Sequence, residues 1–181
     1  MIKKNRCTWC LGDQLYIDYH DKEWGVKVTD SEKLFEMLSL EMMQAGLSWI
    51  TVLRKRTTMR KAFYRFKPAR LAKAGDKEIE GWLNNEGVIR HRGKLAALIN
   101  NAKIFELQEN FSDTLWAFAP ANVKEKRKIP ASSEESLAMS KSLKKKGFKF
   151  VGPTICYAFM QSCGMVNDHD RSCWKYDLFP N

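Results

Sequence analysis

The amino-acid sequence predicts an all-α fold, and three observations carry that expectation. Apolar residues recur at helical spacing in segment after segment, capping residues precede those segments, and glycine or proline closes them. Strand signals do not recur. With 181 residues, 44% of them apolar, the chain can bury a real core, and a single domain over residues 1–181 is expected.

The elements follow in order. TDSEKLFEMLSLEMMQAG opens with Thr29 and Glu32 at capping-box spacing and closes at Gly46, a helix of about four turns. Ser48 caps a second helix, WITVLRKRTTMRKAFYRF, which runs until Pro68 stops it. Asp76 caps KEIEGWLNN, and RHRGKLAALINNAKIFELQEN sets Leu95, Leu98, Ile99, Ala102 and Phe105 at helical spacing. His91, in RHR, reads as a phosphate-facing or surface residue, and Ser112 caps DTLWAFA. Residues 121–133 are poor in apolar side chains, contain KEKRK and read as a solvated loop. Ser132 and Glu135 then form a second capping box for ESLAMSKSLKKK, ended by Gly147. A last helix begins near Pro153 and runs TICYAFMQSC to Gly164, and both chain ends are irregular.

The 31 basic and 21 acidic residues leave a formal charge of +10, which suits nucleic acid or an anionic membrane surface and is equally met by a solvated basic surface. Spanning a membrane is excluded: the longest apolar stretch, Val151 to Val166, falls short of ~18 residues and carries Thr154, Gln161 and Ser162. The basic N-terminus MIKKNRCTWC is followed by the charged LGDQLYIDYHDKEWG and not by a secretory core, so the mature chain is expected to start near Met1, in the cytoplasm. In that reducing setting five cysteines favour thiols or metal ligands over disulfides.

One residue breaks the pattern. At 100° per residue, Leu34, Leu38, Glu41 and Ala45 share a narrow arc flanked by Met37, Phe35 and Met42, so Glu41 sits at the centre of a buried face. An unpaired carboxylate there would cost several kcal/mol or titrate abnormally high. It needs either a structural ion pair or a cavity. The chain turn AGLSW brings Trp49 near, and a carboxylate beside an indole is suited to a flat, nitrogen-rich, cationic ligand.

Two further patterns bear on function. Cys7 and His20 near one end and His169 and Cys173 near the other, the latter pair spaced for one helical turn, could close a tetrahedral zinc site that ties the termini together. Such a site would be structural, with no open position for water. Cys10 could replace Cys7 in it, and unrelated thiols and imidazoles would satisfy the same spacing. In KKKGFKFVGPTICYAF a glycine-bounded turn precedes a fresh helix N-terminus, where free amides and Gly152 could hold a DNA phosphate; an ordinary helix corner has the same signature.

YIDYHDKEWGV, DSEKLFEMLSLE, QAGLSWITVLRKR, GVIRHRGK and LKKKGFKFVGPTICYAFMQSCGMVNDH, with the closing Cys173, make the chain closely resemble the 3-methyladenine DNA glycosylase I family, a zinc-containing branch of the helix-hairpin-helix glycosylases. The resemblance runs from Cys7 to Cys173. It implies a helix-hairpin-helix region at about 134–164, and a monomeric enzyme that flips 3-methyladenine out of double-stranded alkylated DNA. Hydrolysis of the N-glycosidic bond would release free 3-methyladenine and leave an abasic site, with no membrane partner. It also implies Glu41 and Tyr19 as the groups that hydrogen-bond the extruded base, Glu41 being the catalytic candidate, with Trp49 as stacking partner and Trp9 and Tyr16 as further pocket aromatics. Lys149, Val151 and Gly152 fall on the hairpin that contacts DNA, and Cys7, His20, His169 and Cys173 match the structural Zn2+ ligands, leaving Cys10 as an extra thiol. The aspartate that related glycosylases carry after the hairpin helix is replaced by Asn167, with Asp168 next to it. A cationic base leaves readily, so strong activation of water is not required. No lysine is placed for a Schiff base. The competing class is a non-catalytic, zinc-stapled helical DNA-binding module.

Overall fold

A computed structural model describes residues 4–121 and 129–178; the KEKRK run lies in 122–128, outside the described residues. The helices are α1 (Gln14–Lys22), α2 (Ser31–Gln44), α3 (Trp49–Ala62), α4 (Pro68–Leu71), α5 (Asp76–Leu83), α6 (Arg92–Phe105), α7 (Phe111–Trp116), α8 (Glu134–Lys145) and α9 (Pro153–Ser162). Among the described residues there is no strand, as expected for an all-α fold. Nor is any of these helices long and apolar enough to cross a membrane.

Helix α2 is the hub, packed against α3, α6, α7 and α9. Its start is one residue later than the sequence reading placed it. Asp30, not Thr29, accepts from the Lys33 amide at 2.7 Å, because a carboxylate at the N-cap satisfies a free N–H and also meets the helix dipole. Gly46, at φ +76°, ends the helix as expected. Shifts of one or two residues recur elsewhere. Asn110 and Ser133 cap α7 and α8 where Ser112 and Ser132 were expected, and Asp76 is the first residue of α5, whose cap is Gly75. Ser112 instead donates its amide to Ser31 Oγ at 3.1 Å, tying α7 to the start of α2.

The second expected helix is broken. It ends at Ala62, since Tyr64, Arg65 and Phe66 all take left-handed φ values of 53–60°, and α4 then starts at Pro68. This reversal puts Phe63 and Phe66 side by side in the core, ring centroids 5.6 Å apart, where hydrophobic burial compensates the backbone strain. Helix α1 was not anticipated; Asp13 caps it through the Leu15 amide at 2.8 Å.

Two buried lysines fix the parts that surround the site. Lys94 of α6 donates to Met43 O (2.9 Å) and Ala45 O (2.6 Å) at the end of α2, and Lys175 donates to His20 O (2.9 Å) and Trp24 O (2.7 Å) at the end of α1. Each supplies a cation where helix carbonyls lack intrahelical donors. After α9, Gly164 lies flat on the segment before α2: a Cβ there would stand 2.7 Å from Gly25 O, at a left-handed φ of +80°. Gly25 N–H to Ser162 O and Val28 N–H to Cys163 O, both 3.2 Å, hold the two segments together.

Candidate active site

Helix α2 carries two buried acids with opposite surroundings. Glu36 pairs with Lys33, Arg56 and Arg60 at 3.3–3.5 Å, and Arg56 also grips Glu23 at 2.8 Å. Glu41, 4% exposed, has no ion pair among the described residues. The structural-ion-pair role open to Glu41 is therefore filled by Glu36. Burial pushes the Glu41 carboxyl up to about 8, with the Ser162 hydroxyl acting in the opposite direction.

Glu41 lines a cavity of about 220 Å³ together with Trp9, Tyr19, Trp24, Gln44 and Trp49, and with Ala158 and Gln161 of α9. That is below the ~300–1,000 Å³ usual for drug-sized ligands and suits one small, flat molecule. Tyr19 and Trp49 have ring centroids 5.3 Å apart, tilted by 55°. The Trp49 indole N–H is buried with no hydrogen-bond partner among the described residues, a donor that an incoming acceptor would satisfy. Tyr19, buried and next to Glu41, has its phenol held well above the usual range, first by desolvation and then by that carboxyl, so it stands as a neutral donor.

Four of the five expected pocket residues thus meet around one hollow. Tyr16 is not among its lining residues: its hydroxyl accepts from the Ile50 amide at 3.1 Å, fixing the start of α3 beside Trp49, and its ring stands edge-on to Trp9 at 5.6 Å. Trp24, Gln44 and Gln161 were not singled out from sequence. Trp24 and Gln44 lie in YIDYHDKEWGV and QAGLSWITVLRKR, but nothing local to either marks it as facing a cavity.

Behind the aromatic wall, ligand atoms of Cys7, His20 and Cys173 lie within 4.8 Å of one another, all buried, a cluster able to hold a metal ion. His20 Nδ1 is 2.9 Å from Asp21 Oδ1, which leaves Nε2 for a metal and places it 3.4 Å from Cys173 Sγ. Main-chain amides of Asp170 and Lys175 point at Cys7 Sγ (3.2 Å) and Cys173 Sγ (3.5 Å), the arrangement that stabilises thiolates. His169 lies beside this cluster and outside its 4.8 Å circle, with its ring 5.2 Å from His20 and 4.5 Å from Trp24. The expected helical turn over His169–Cys173 is absent; the segment is irregular. Cys10 turns away, its thiol donating to Cys7 O at 3.1 Å. The donor set of two thiols and an imidazole with an acidic partner fits zinc.

The α8–α9 corner sits on α6. Asn101, buried, pins Lys149 by accepting from its amide (2.8 Å) and donating to its carbonyl (3.0 Å), and Asn100 donates to Gly147 O at 3.0 Å. Lys149 is exposed, whereas the Val151 side chain is buried and its carbonyl accepts from Ser140 Oγ at 2.6 Å. At Gly152 a Cβ would meet nothing within 4 Å, so internal packing does not require glycine there. His91 is exposed and serves as the cap of α6, its Nδ1 accepting from the Lys94 amide at 3.2 Å.

A helical fold holding a buried carboxyl in a small aromatic cavity, on a strongly basic chain, has the chemistry that suits a flat cationic heterocycle. Residues 9–176 match the methyladenine glycosylase family, and the chain belongs to that family. It is 49% identical over 180 residues to DNA-3-methyladenine glycosylase 1 of Escherichia coli (strain K12), with 94% of this chain and 96% of that one covered. Among solved structures, a crystal structure of 3-methyladenine DNA glycosylase I aligns with TM-score 0.89 and 51% identity, covering 94% of this chain and 98% of that one. The Staphylococcus aureus 3-methyladenine DNA glycosylase I, studied for its recognition of 3-methyladenine, aligns with TM-score 0.87 and 32% identity over 98% of both chains.

Proposed function

We propose that the chain removes 3-methyladenine from alkylated double-stranded DNA by hydrolysing the N-glycosidic bond, acting as a monomer in the cytoplasm. The observation that carries the reading is Glu41, an acid kept out of water and out of any ion pair among the described residues, facing a base-sized aromatic hollow. A 3-methylated adenine nucleotide is cationic, so its ring charge and the buried carboxylate neutralise each other where water screens neither. Trp49 stacks on the flipped base, Tyr19 donates to it, Trp9 closes the outer edge of the hollow, and Tyr16 keeps Trp49 in place through the Ile50 amide.

The chemistry then asks little of the protein. The bond from C1′ to the base breaks with its electron pair passing to the purine, which leaves neutral. A water oxygen bonds to C1′ and its proton goes to solvent. Positive charge moves from purine to sugar as the bond breaks, so Glu41 acts chiefly in capture of the damaged base, and selection comes from binding it.

The α8–α9 corner works as a helix-hairpin-helix phosphate clamp. Lys149 supplies charge, the N-terminus of α9 supplies amides, and the open face of Gly152 allows the DNA backbone close approach. Val151, buried by its side chain, would contribute only through its backbone. A zinc ion held by Cys7, His20, Cys173 and His169 would staple the chain ends and brace Trp9 and Trp24, whose rings lie 5.6 and 6.1 Å from His20.

A purely structural DNA-binding module would share the basic surface and the metal cluster. It has no use for a buried carboxyl, which repels phosphate. Incubation with methylated duplex DNA and chromatography of the supernatant separates the two: free 3-methyladenine is expected. Binding without base release would overturn the enzyme reading.

A further inference from the structure

The part of the cavity wall that α9 supplies holds a polar group that neither stacks nor carries charge. Gln161, half-buried on α9, lines the cavity. Its Nε2 donates to Asp168 Oδ2 at 2.9 Å, and the Tyr157 hydroxyl donates to the same oxygen at 2.5 Å. Asp168 is buried. The hydrogen bond from Nε2 sets which end of the Gln161 amide faces Asp168: the nitrogen. Asp168 is not one of the lining residues, so that nitrogen is turned out of the hollow. The end left for the cavity is Oε1, which no hydrogen bond among the described residues engages.

We infer that Gln161, locked by Asp168, is a specificity-determining residue: its side-chain carbonyl accepts a hydrogen bond from the exocyclic amino group of the captured purine and disfavours purines that carry an oxygen at that position. The inference rests on the proposed use of this cavity for the base. An exocyclic amine offers two N–H donors, and the Glu41 carboxylate and Gln161 Oε1 are two of the acceptors that line the hollow. A guanine presents a carbonyl oxygen there instead. That oxygen meets lone pairs at both, and buried acceptors left without donors discriminate more strongly than a missing methyl group. Asp168 is a positioning residue in this arrangement. Its carboxyl orders the recognising amide.

The test is competitive. Duplex DNA methylated to carry both 3-methyladenine and 3-methylguanine is treated with wild type, Gln161→Met, Asp168→Asn and Glu41→Gln, and the two free bases are quantified from each reaction. Their ratio is insensitive to losses of fold, metal or DNA affinity that affect both lesions alike. Gln161→Met keeps the side-chain length without the carbonyl, and is expected to lower the adenine-to-guanine ratio by about tenfold. Asp168→Asn frees the amide to turn and is expected to lower it in the same direction. A ratio within twofold of wild type for Gln161→Met, with excision lost in Glu41→Gln, overturns the role of Gln161 and leaves the base site standing. Wild-type behaviour of both Gln161→Met and Glu41→Gln would overturn the base site itself. Should Asp168→Asn not fold, the half-exposed Gln161→Met decides.

Discussion

Lys94 and Met43 are joined across 51 residues by a buried hydrogen bond of 2.9 Å, and the same ammonium donates to Ala45 O at 2.6 Å. The lysine therefore holds the C-terminal turn of the helix that carries Glu41 and leads into Trp49. Lys94→Met fills the space but leaves those carbonyls without their donor. A loss of about 2 kcal/mol is expected in urea unfolding with the slope unchanged. A change within 0.5 kcal/mol would mean that water replaces the ammonium without cost.

Glu41 makes stability depend on pH in a definite direction. Its carboxyl titrates at about 8 in the fold against 4.5 for an ordinary glutamate. The folded state keeps its proton where the unfolded state has lost it. The contribution is therefore fully present below pH 4.5, falls between 4.5 and 8, and is gone above 8. Glu41→Gln does not ionise, so it is expected to gain on wild type across that window, by on the order of 5 kcal/mol at most. Melting curves from pH 4 to pH 9 (~1-unit steps) check it; parallel curves would show that the carboxyl is solvated. Wild-type excision is expected to rise towards pH 8 for the same reason, since only the ionised acid captures a cation.

The metal cluster gives a separate expectation. Cys173→Ser removes one of three converging ligands, so the purified variant should lose its zinc and melt lower, with the indole of Trp24 left less firmly braced. Binding should weaken as pH falls, because protons compete for the thiolates and for His20. Elemental analysis beside melting curves checks both. A wild-type protein free of metal, with the same melting temperature after chelation, would contradict the zinc assignment.

Gly152 separates the partner from the fold. With open space at its Cβ position and φ −64°, Gly152→Ala should leave stability unchanged or raise it by up to ~1 kcal/mol. Duplex affinity is expected to fall several-fold, measured by fluorescence anisotropy. Unchanged affinity would place the DNA backbone elsewhere.

Much of the fold was legible from residue types. Gly46, Gly147, Pro153 and Gly164 bound helices where expected, and the helical stripe placed Glu41 in the interior. The caps slipped by a residue because Thr29 and Asp30, like Ser132 and Ser133, are neighbouring side chains of similar capping ability that only geometry separates. The reversal at Tyr64–Phe66 was not legible, since bulky residues at positive φ are held there by burial of Phe63 and Phe66 and not by local preference. Within the site, the AGLSW turn located Trp49 and the family resemblance located Tyr19. Trp24, Lys94 and the Gln161–Asp168 pair depend on contacts between distant segments and leave no periodic trace. The spacing of His169 and Cys173 pointed to a helix, but main-chain amides aimed at sulfur replace helical hydrogen bonds there.

The central claim is that one buried acid captures the damaged base. Its most direct measurement is the second-order rate constant for 3-methyladenine release under single-turnover conditions, wild type against Glu41→Gln, with duplex binding followed in parallel. A fall of at least about tenfold with binding retained is expected. Equal rate constants would contradict the claim, whatever the cavity's shape.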